Sequence, residues 1–266
     1  MKIVVIGGTG LIGTKVVAEL RSMGQAVIAA APSTGVDTIT REGLEAALLG
    51  AQAVIDVSGP SAVGGEEEFF VTSTRHLLAA ELDAGVRHHI LLSIVGVDRV
   101  DTSGYFLAKF AQENEVRRGR VSYSILRSTQ FFEFANLIAD WNTVDDTIHL
   151  PPIEMRPVAS ADVVGALVSL VRGTPTQQVS EVAGPERLTL DDFVRRVLLH
   201  HHDDRYVVRA PDTRPAGFNI DGRLLAPGPD ATLTETTLAM WLEGVAAVDD
   251  AHGRHAAPFL FSDEGS

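Results

Sequence analysis

The 266-residue chain contains no cysteine. A disulfide scaffold, a cysteine nucleophile and a thiolate metal site are therefore excluded. Cations are scarce: 22 lysines and arginines stand against 35 acidic residues, for a formal net charge of −13. Polyanions need a basic footprint, so a nucleic-acid partner is not expected. Aromatic residues make up 6% of the chain and only three are tyrosines, so each tyrosine is worth placing. No run approaches the roughly 18 apolar residues that a membrane helix needs, so no membrane partner is expected. Lys2 is followed by Ile3-Val4-Val5-Ile6 and then glycine, an apolar run too short for a signal-peptide core. A cytoplasmic protein is the expectation. The length suits one large domain, or one domain with an appended lobe, and a core that needs no staple.

What is present is an alternation. Residues 2–6, 26–31, 53–57, 89–93 and 122–126 are short apolar runs that read as buried strands. Between them, residues 11–23, 42–49, 67–84 and 105–118 carry helical spacing. Short strands alternating with amphipathic helices predict a doubly wound, Rossmann-like α/β fold on a parallel sheet. Beyond residue 126 the pattern loosens into helices at 131–141, 160–171, 191–199 and 233–245, with a strand at 179–182. We expect a dinucleotide-binding domain over 1–126, interleaved with a smaller C-terminal substrate lobe over 127–248. Residues 249–266 are polar and rich in small residues, and read as a mobile tail.

The strongest local signal is Gly7-Gly8-Thr9-Gly10-Leu11-Ile12-Gly13. Gly7 permits a tight turn off the first strand, Gly10 lets a pyrophosphate approach the backbone, and Gly13 lets the helix pack closely. The helix N-terminus then offers N–H groups and its dipole to the anion. A ligand-free glycine turn is the bland alternative; the position between first strand and first helix favours the dinucleotide. The second strand ends Ala29-Ala30-Ala31-Pro32-Ser33-Thr34 with no carboxylate to hold ribose hydroxyls. That favours NADP(H), with NAD(H) left open. Ser33 and Thr34 would donate to a 2′-phosphate, Lys15 would supply charge, and Asp37 would suit the adenine edge, with a cap at the approach to the next helix as the alternative for Asp37. A plain polar turn is the alternative for Ser33-Thr34.

Ser93 ends the fourth predicted strand, at the carboxyl edge where such sheets bind ligands. Tyr105 and Lys109 follow at i, i+4, one turn apart on one helix face. A free phenol, with a pKa of about 10, is a poor catalyst at neutral pH. A neighbouring ammonium is expected to lower it. Ser93, Tyr105 and Lys109 together suit hydride transfer between a nicotinamide and a carbonyl or alcohol; chance occurrence of the Tyr-Lys spacing is the alternative. Gln130, Phe131, Phe132 and Glu133 follow the fifth strand and would wall an apolar pocket suited to a small aromatic or polycyclic carbonyl or quinone; rings that are simply core are the alternative. His200-His201-His202 point in different directions on a helix, so no metal is expected there. Asp56 reads as a packed or capping group.

The glycine turn, Ser93 and Tyr105-x-x-x-Lys109 resemble the short-chain dehydrogenase/reductase superfamily. Pro157-Val158-Ala159-Ser160-Ala161-Asp162-Val163 and Glu181-Val182-Ala183-Gly184-Pro185-Glu186 are similar to its atypical, NmrA-like branch. The resemblance spans about residues 1–245. It implies an NAD(P)H-dependent oxidoreductase acting on a small molecule, with Gly7, Thr9, Gly10, Leu11, Ile12 and Gly13 on the pyrophosphate. It also implies Ser58 and Gly59 beside the nicotinamide and Lys109 on its ribose. Pro32 stands about where that branch commonly has an arginine. Some NmrA-like members sense the cofactor without turnover, so a regulatory protein is one alternative and an NAD(P)-assisted isomerase or epimerase is another. The helices over 67–84 and 105–118 are those such folds use for pairing, which makes a homodimer an expectation by analogy.

Overall fold

The structure is a computed structural model, and it describes residues 1–60, 65–99, 104–213 and 225–246. The region read as a tail lies outside the described residues.

Five strands form as the apolar runs predict: β1 (Lys2–Ile6), β2 (Ala26–Ala30), β3 (Ala53–Asp56), β4 (His88–Ile94) and β5 (Tyr123–Ser128). The intervening helices are α1 (Leu11–Ser22), α2 (Leu44–Leu48), α3 (Glu66–Ala84) and α4 (Gly104–Arg118). β9 (Val179–Ala183) and β12 (Thr232–Leu233) complete a seven-stranded sheet in the order β12-β9-β5-β4-β3-β1-β2. Every pairing in it is parallel. β1 lies between β2 and β3, so the winding reverses there. A doubly wound sheet opens its ligand crevice at the carboxyl ends of such strands.

Alternation along the strands divides the core in two. Ile3, Val5, Ile55 and Ile90 pack against Val16, Val17 and Leu20 of α1 and against α6 (Ser160–Arg172). Val4, Ile6 and Val54 face α2 and α3, and Leu91 and Ile125 face Val116 of α4. Asp56 alternates with Ile55 and so falls on the α2–α4 face, paired in register with Ile6 and Leu91.

A third cluster lies outside the large sheet. It joins Phe132, Ile138 of α5 (Ala135–Trp141), Ile148 and Leu150 of β7 (Thr147–Leu150), Phe193 and Val197 of α7 (Leu190–His200) and Leu238 of α8 (Leu238–Ala246). Around it run β6 (Thr143–Val144) and β11 (Tyr206–Arg209), which flank β7, and the pair β8 (Glu154–Met155) and β10 (Leu188–Thr189). β5 crosses residue 126, while α6, β9 and β12 return to the large sheet from the later part of the chain.

Two expected helices start later than predicted. Phe132–Phe134 is a short 3-10 turn before α5, and residues 232–233 are strand before α8. In the second case the Thr234 N–H donates to Ala183 O at 2.9 Å, and Glu186 caps α8 by accepting the Leu238 N–H at 2.6 Å. Partners distant in sequence override the local helical pattern.

Candidate active site

The glycine turn forms at the carboxyl end of β1. Gly7 has φ +76°, and a Cβ there would lie 2.8 Å from Val57 O. A Cβ on Gly13 would lie 2.0 Å from Gly7 O. These two glycines therefore press the turn onto α1 and onto the residues that follow β3. Gly10 differs, since a Cβ there would meet only Gly7 O, at 3.4 Å. Gly59 likewise has open space around it. No side chain caps the N-terminus of α1, so its first N–H groups face that opening. Ile12 is buried in the core beneath α1, whereas Thr9 and Leu11 are exposed. A pyrophosphate here would be met by backbone and not by the Ile12 side chain.

The adenosine side departs from expectation. Thr34 is occupied by its own turn: its Oγ1 accepts the Ala31 N–H at 2.9 Å and lies 2.9 Å from Ala29 O. Asp37 closes another turn, accepting the Ile39 and Thr40 N–H groups at 2.7 and 3.1 Å. Lys15 points to the other layer, where it contacts Glu133, at 3.2 Å, and Ser160. Ser33 remains exposed, with its Oγ 3.5 Å from Thr9 Oγ1. The fold brings in one cation that strand-end reading missed. A Cβ on Gly43 would lie 2.1 Å from Gly35 O, and the Asp37 N–H donates to Glu42 O at 2.9 Å. The loop thus folds back on the Pro32–Thr34 turn and carries the exposed Arg41, at φ +68°, with it. Nothing in the linear spacing signals this.

At the centre of the sheet edge, Ser93 is 1% exposed and its Oγ has no hydrogen-bond partner among the described residues. A buried hydroxyl without a partner carries a desolvation penalty, which a ligand oxygen would relieve. Next to it in the chain, Leu92 O accepts from Lys109 Nζ at 2.9 Å. Lys109 is buried, and its ammonium also lies 4.8 Å from the centre of the Phe70 ring. Burial pulls its pKa down to about 8, opposed by Asp56 and Glu113. Tyr105 packs edge-on against the same Phe70 ring, at 5.5 Å. The helix therefore presents Tyr105 and Lys109 together to α3, as their spacing requires.

The expected effect of Lys109 on the phenol is not what the structure gives. Burial holds the Tyr105 hydroxyl above its ordinary range, and the carboxylate of Glu66 adds to this. Ser58 is turned back on Asp56: its N–H and hydroxyl both donate to Asp56 Oδ1, at 2.9 and 2.6 Å.

The expected aromatic wall is also corrected. Phe132 is 1% exposed and packs on Phe193 and Trp241, while Phe131 packs on Phe134 in the α1–α6 core. Both rings are structural. Glu133 accepts the Ser160 N–H, at 3.2 Å from Oε2, and pairs with Lys15. It thereby satisfies the N-terminus of α6. Only Gln130 keeps an open valence: it is buried and its Oε1 has no partner among the described residues. Among those residues no cluster of three or more His, Asp or Glu could hold a metal.

No family model matches the sequence, and no curated protein matches it. Solved structures do. A UDP-N-acetylglucosamine 4-epimerase from Bacillus cereus superposes with a TM-score of 0.71 at 14% identity, over 97% of this chain and 100% of that one. A dTDP-4-dehydrorhamnose reductase from Bacillus anthracis in complex with NADP gives 0.66 at 13% identity, over 94% and 99%. A short-chain dehydrogenase/reductase superfamily protein from Agrobacterium tumefaciens with bound NAD gives 0.66 at 19% identity, over 94% and 97%. These likenesses show the fold, a Rossmann-like α/β architecture on a parallel sheet that is shared with these three structures. Within that fold, the glycine turn, Ser93 and the Tyr105–Lys109 pair all lie at or beside the carboxyl edge of the sheet.

Proposed function

We propose that the chain is an NAD(P)H-dependent oxidoreductase that reduces a carbonyl group of a small molecule. The observation that carries this reading is the buried Ser93 hydroxyl at the carboxyl end of β4, without a partner among the described residues and one residue from the carbonyl that Lys109 grips. The nicotinamide cofactor, when bound, supplies the hydride. Gly7, Gly10 and Gly13 give its pyrophosphate backbone to rest on, with Thr9 and Leu11 at the rim, Ser58 and Gly59 at the nicotinamide side, and Lys109 on the ribose. Residues 1–126 would carry most of this site and residues 127–248 the substrate, with Gln130 as a polar anchor.

Ser93 donates to the substrate oxygen and orients it. Tyr105 delivers the proton to that oxygen. Burial and Glu66 hold the phenol above its ordinary range, so Tyr105 serves as the proton donor of the carbonyl-reducing direction. The neighbours bound to NAD and to NADP are consistent with either cofactor. The missing carboxylate after β2 favours NADP(H), and Arg41, on the loop folded back on the Pro32–Thr34 turn and 3.5 Å from Glu45, is the cation that would turn to a 2′-phosphate.

Calorimetric titration with NADPH and NADH tests the site. Micromolar binding with NADPH preferred is expected, and Arg41→Ala should narrow the preference by roughly tenfold, the worth of one charge-assisted contact. A protein that binds neither dinucleotide ends this reading. With cofactor bound, NADPH consumption is followed over a panel of aldehydes, ketones and quinones. Tyr105→Phe should leave NADPH affinity intact and lower turnover by roughly a hundredfold or more.

A further inference from the structure

Asp56 is fully buried at the carboxyl end of β3, and hydride transfer itself gives it no task. Its Oδ1 accepts from the Ser58 N–H and hydroxyl, and its Oδ2 accepts from Gln112 Nε2 at 3.0 Å. The other end of the same amide, Gln112 Oε1, accepts from Lys109 Nζ at 2.6 Å. We propose that Asp56, acting through Gln112, is the positioning residue that aims the Lys109 ammonium and keeps it charged. The inference rests on the reading of Lys109 as the group that holds the cofactor ribose.

The hydrogen-bond inventory makes the arrangement directional. A carboxylate only accepts and an ammonium only donates. Of the three groups, Gln112 alone has both functions, so its Nε2 must face Asp56 and its Oε1 must face Lys109. Leu92 O and Gln112 Oε1 take two of the three ammonium protons, and the Phe70 ring lies over the ammonium. The third proton has no partner among the described residues and is left for a ligand. The same carboxylate fixes Ser58, so the nicotinamide-side loop and the ribose-side lysine are set by one buried group.

Charge supports the same conclusion. An ammonium buried without a counter-charge sheds its proton. Asp56 from β3 and Glu113 from α4 are the anions that oppose this at Lys109. Glu113 is already bound to Arg127 of β5 at 2.8 Å and to Arg117 at 2.7 Å. Glu81 of α3, in the same layer, is bound to His89 of β4 at 2.9 Å. Glu66 bears on Tyr105. Among the described residues no cation contacts Asp56 directly, so its charge bears on Lys109 across the Gln112 amide.

The chain has only three lysines, Lys2, Lys15 and Lys109, so a protein labelled at lysine 13Cε shows the titration of each by NMR. The wild-type Lys109 midpoint is expected near 8. Asp56→Asn should lower it by roughly one pH unit, because the new amide is neutral and lets Gln112 turn over. Gln112→Met keeps volume and the Asp56 charge, breaks only the bridge, and should move the midpoint in the same direction. Lys2 and Lys15 should not move. In both variants NADPH should bind roughly tenfold more weakly by calorimetry, the worth of one charge-assisted hydrogen bond.

If Asp56→Asn does not fold, Gln112→Met carries the test. Folded variants with an unchanged Lys109 midpoint would overturn the proposal, even if their thermal stability falls, since that pattern marks a purely structural carboxylate. A shifted midpoint with unchanged NADPH affinity would overturn the aiming role. Failure of the dinucleotide reading looks different: wild type would bind neither NADPH nor NADH, while the lysine midpoint would still respond to Asp56→Asn.

Discussion

Gly13→Ala is the sharpest single perturbation of the glycine turn. The added Cβ would sit 2.0 Å from Gly7 O and 2.7 Å from Gly8 Cα. Real side chains stay at least 3.0 Å from such atoms, so the overlap is close to 1 Å. Both obstacles are backbone, and neither can rotate away. Either α1 lifts from the turn or the turn moves, and Gly7 O also accepts the Gly10 N–H at 3.0 Å. Overpacking of this kind costs about 3 kcal/mol, the upper part of its ordinary range. For a domain of this size that lowers Tm by about 6–12 °C. It also re-aims the N–H groups at the head of α1, so NADPH affinity should fall at least tenfold, roughly one charge-assisted hydrogen bond. Gly165→Ala on α6 is the control. A Cβ there meets nothing within 4 Å, and it should be neutral or stabilise by about 0.5–1 kcal/mol. Calorimetric melting and NADPH titration of both variants decide the matter. Equal Tm and equal affinity in wild type and Gly13→Ala would refute the reasoning.

Two further outcomes concern stability. Arg127 is 4% exposed and grips Glu113 with two bonds of 2.8 Å, with Asp98 at 2.7 Å on its other nitrogen. Arg127→Met should destabilise by about 3–5 kcal/mol in urea unfolding, and adding Glu113→Leu should restore part of the loss; full stability in the single variant would contradict this. His88 is buried against Ser124, and burial together with nearby His89 lowers its pKa to about 4, so the unfolded chain takes the proton first. Its contribution is complete above about pH 6.5 and declines as pH falls towards 4. His88→Gln should flatten the fall of the urea midpoint over that window, and parallel curves for the two proteins would argue otherwise.

Much of the fold is legible in the chain because the signals are local. Residues 2–6 and 53–57 are apolar runs too short for helices, and the glycines of 7–13 sit between a strand and a helix. Tyr105 and Lys109 share a helix face by spacing alone. The short strands β6, β8, β10 and β12 are two residues each and carry no periodicity to read. Phe131 and Phe132 illustrate a different gap. An aromatic pair after a strand reads equally as pocket or as core, and only the packing of Phe193, Trp241 and Phe134 against them decides for core.

By itself, the sequence determined the alternation of strands and helices, the glycine turn and the pairing of Tyr105 with Lys109, since each depends on residues within a turn or two of one another. Tertiary structure alone decided the burial and the hydrogen-bond partners of these two side chains. Lys109 answers to Leu92, Gln112 and Asp56, and Tyr105 to Glu66 and Phe70. The loop that carries Arg41 is folded back beside the Pro32–Thr34 turn by the close approach of Gly43 to Gly35. Desolvation and charge act through space, and distance along the chain carries no record of them.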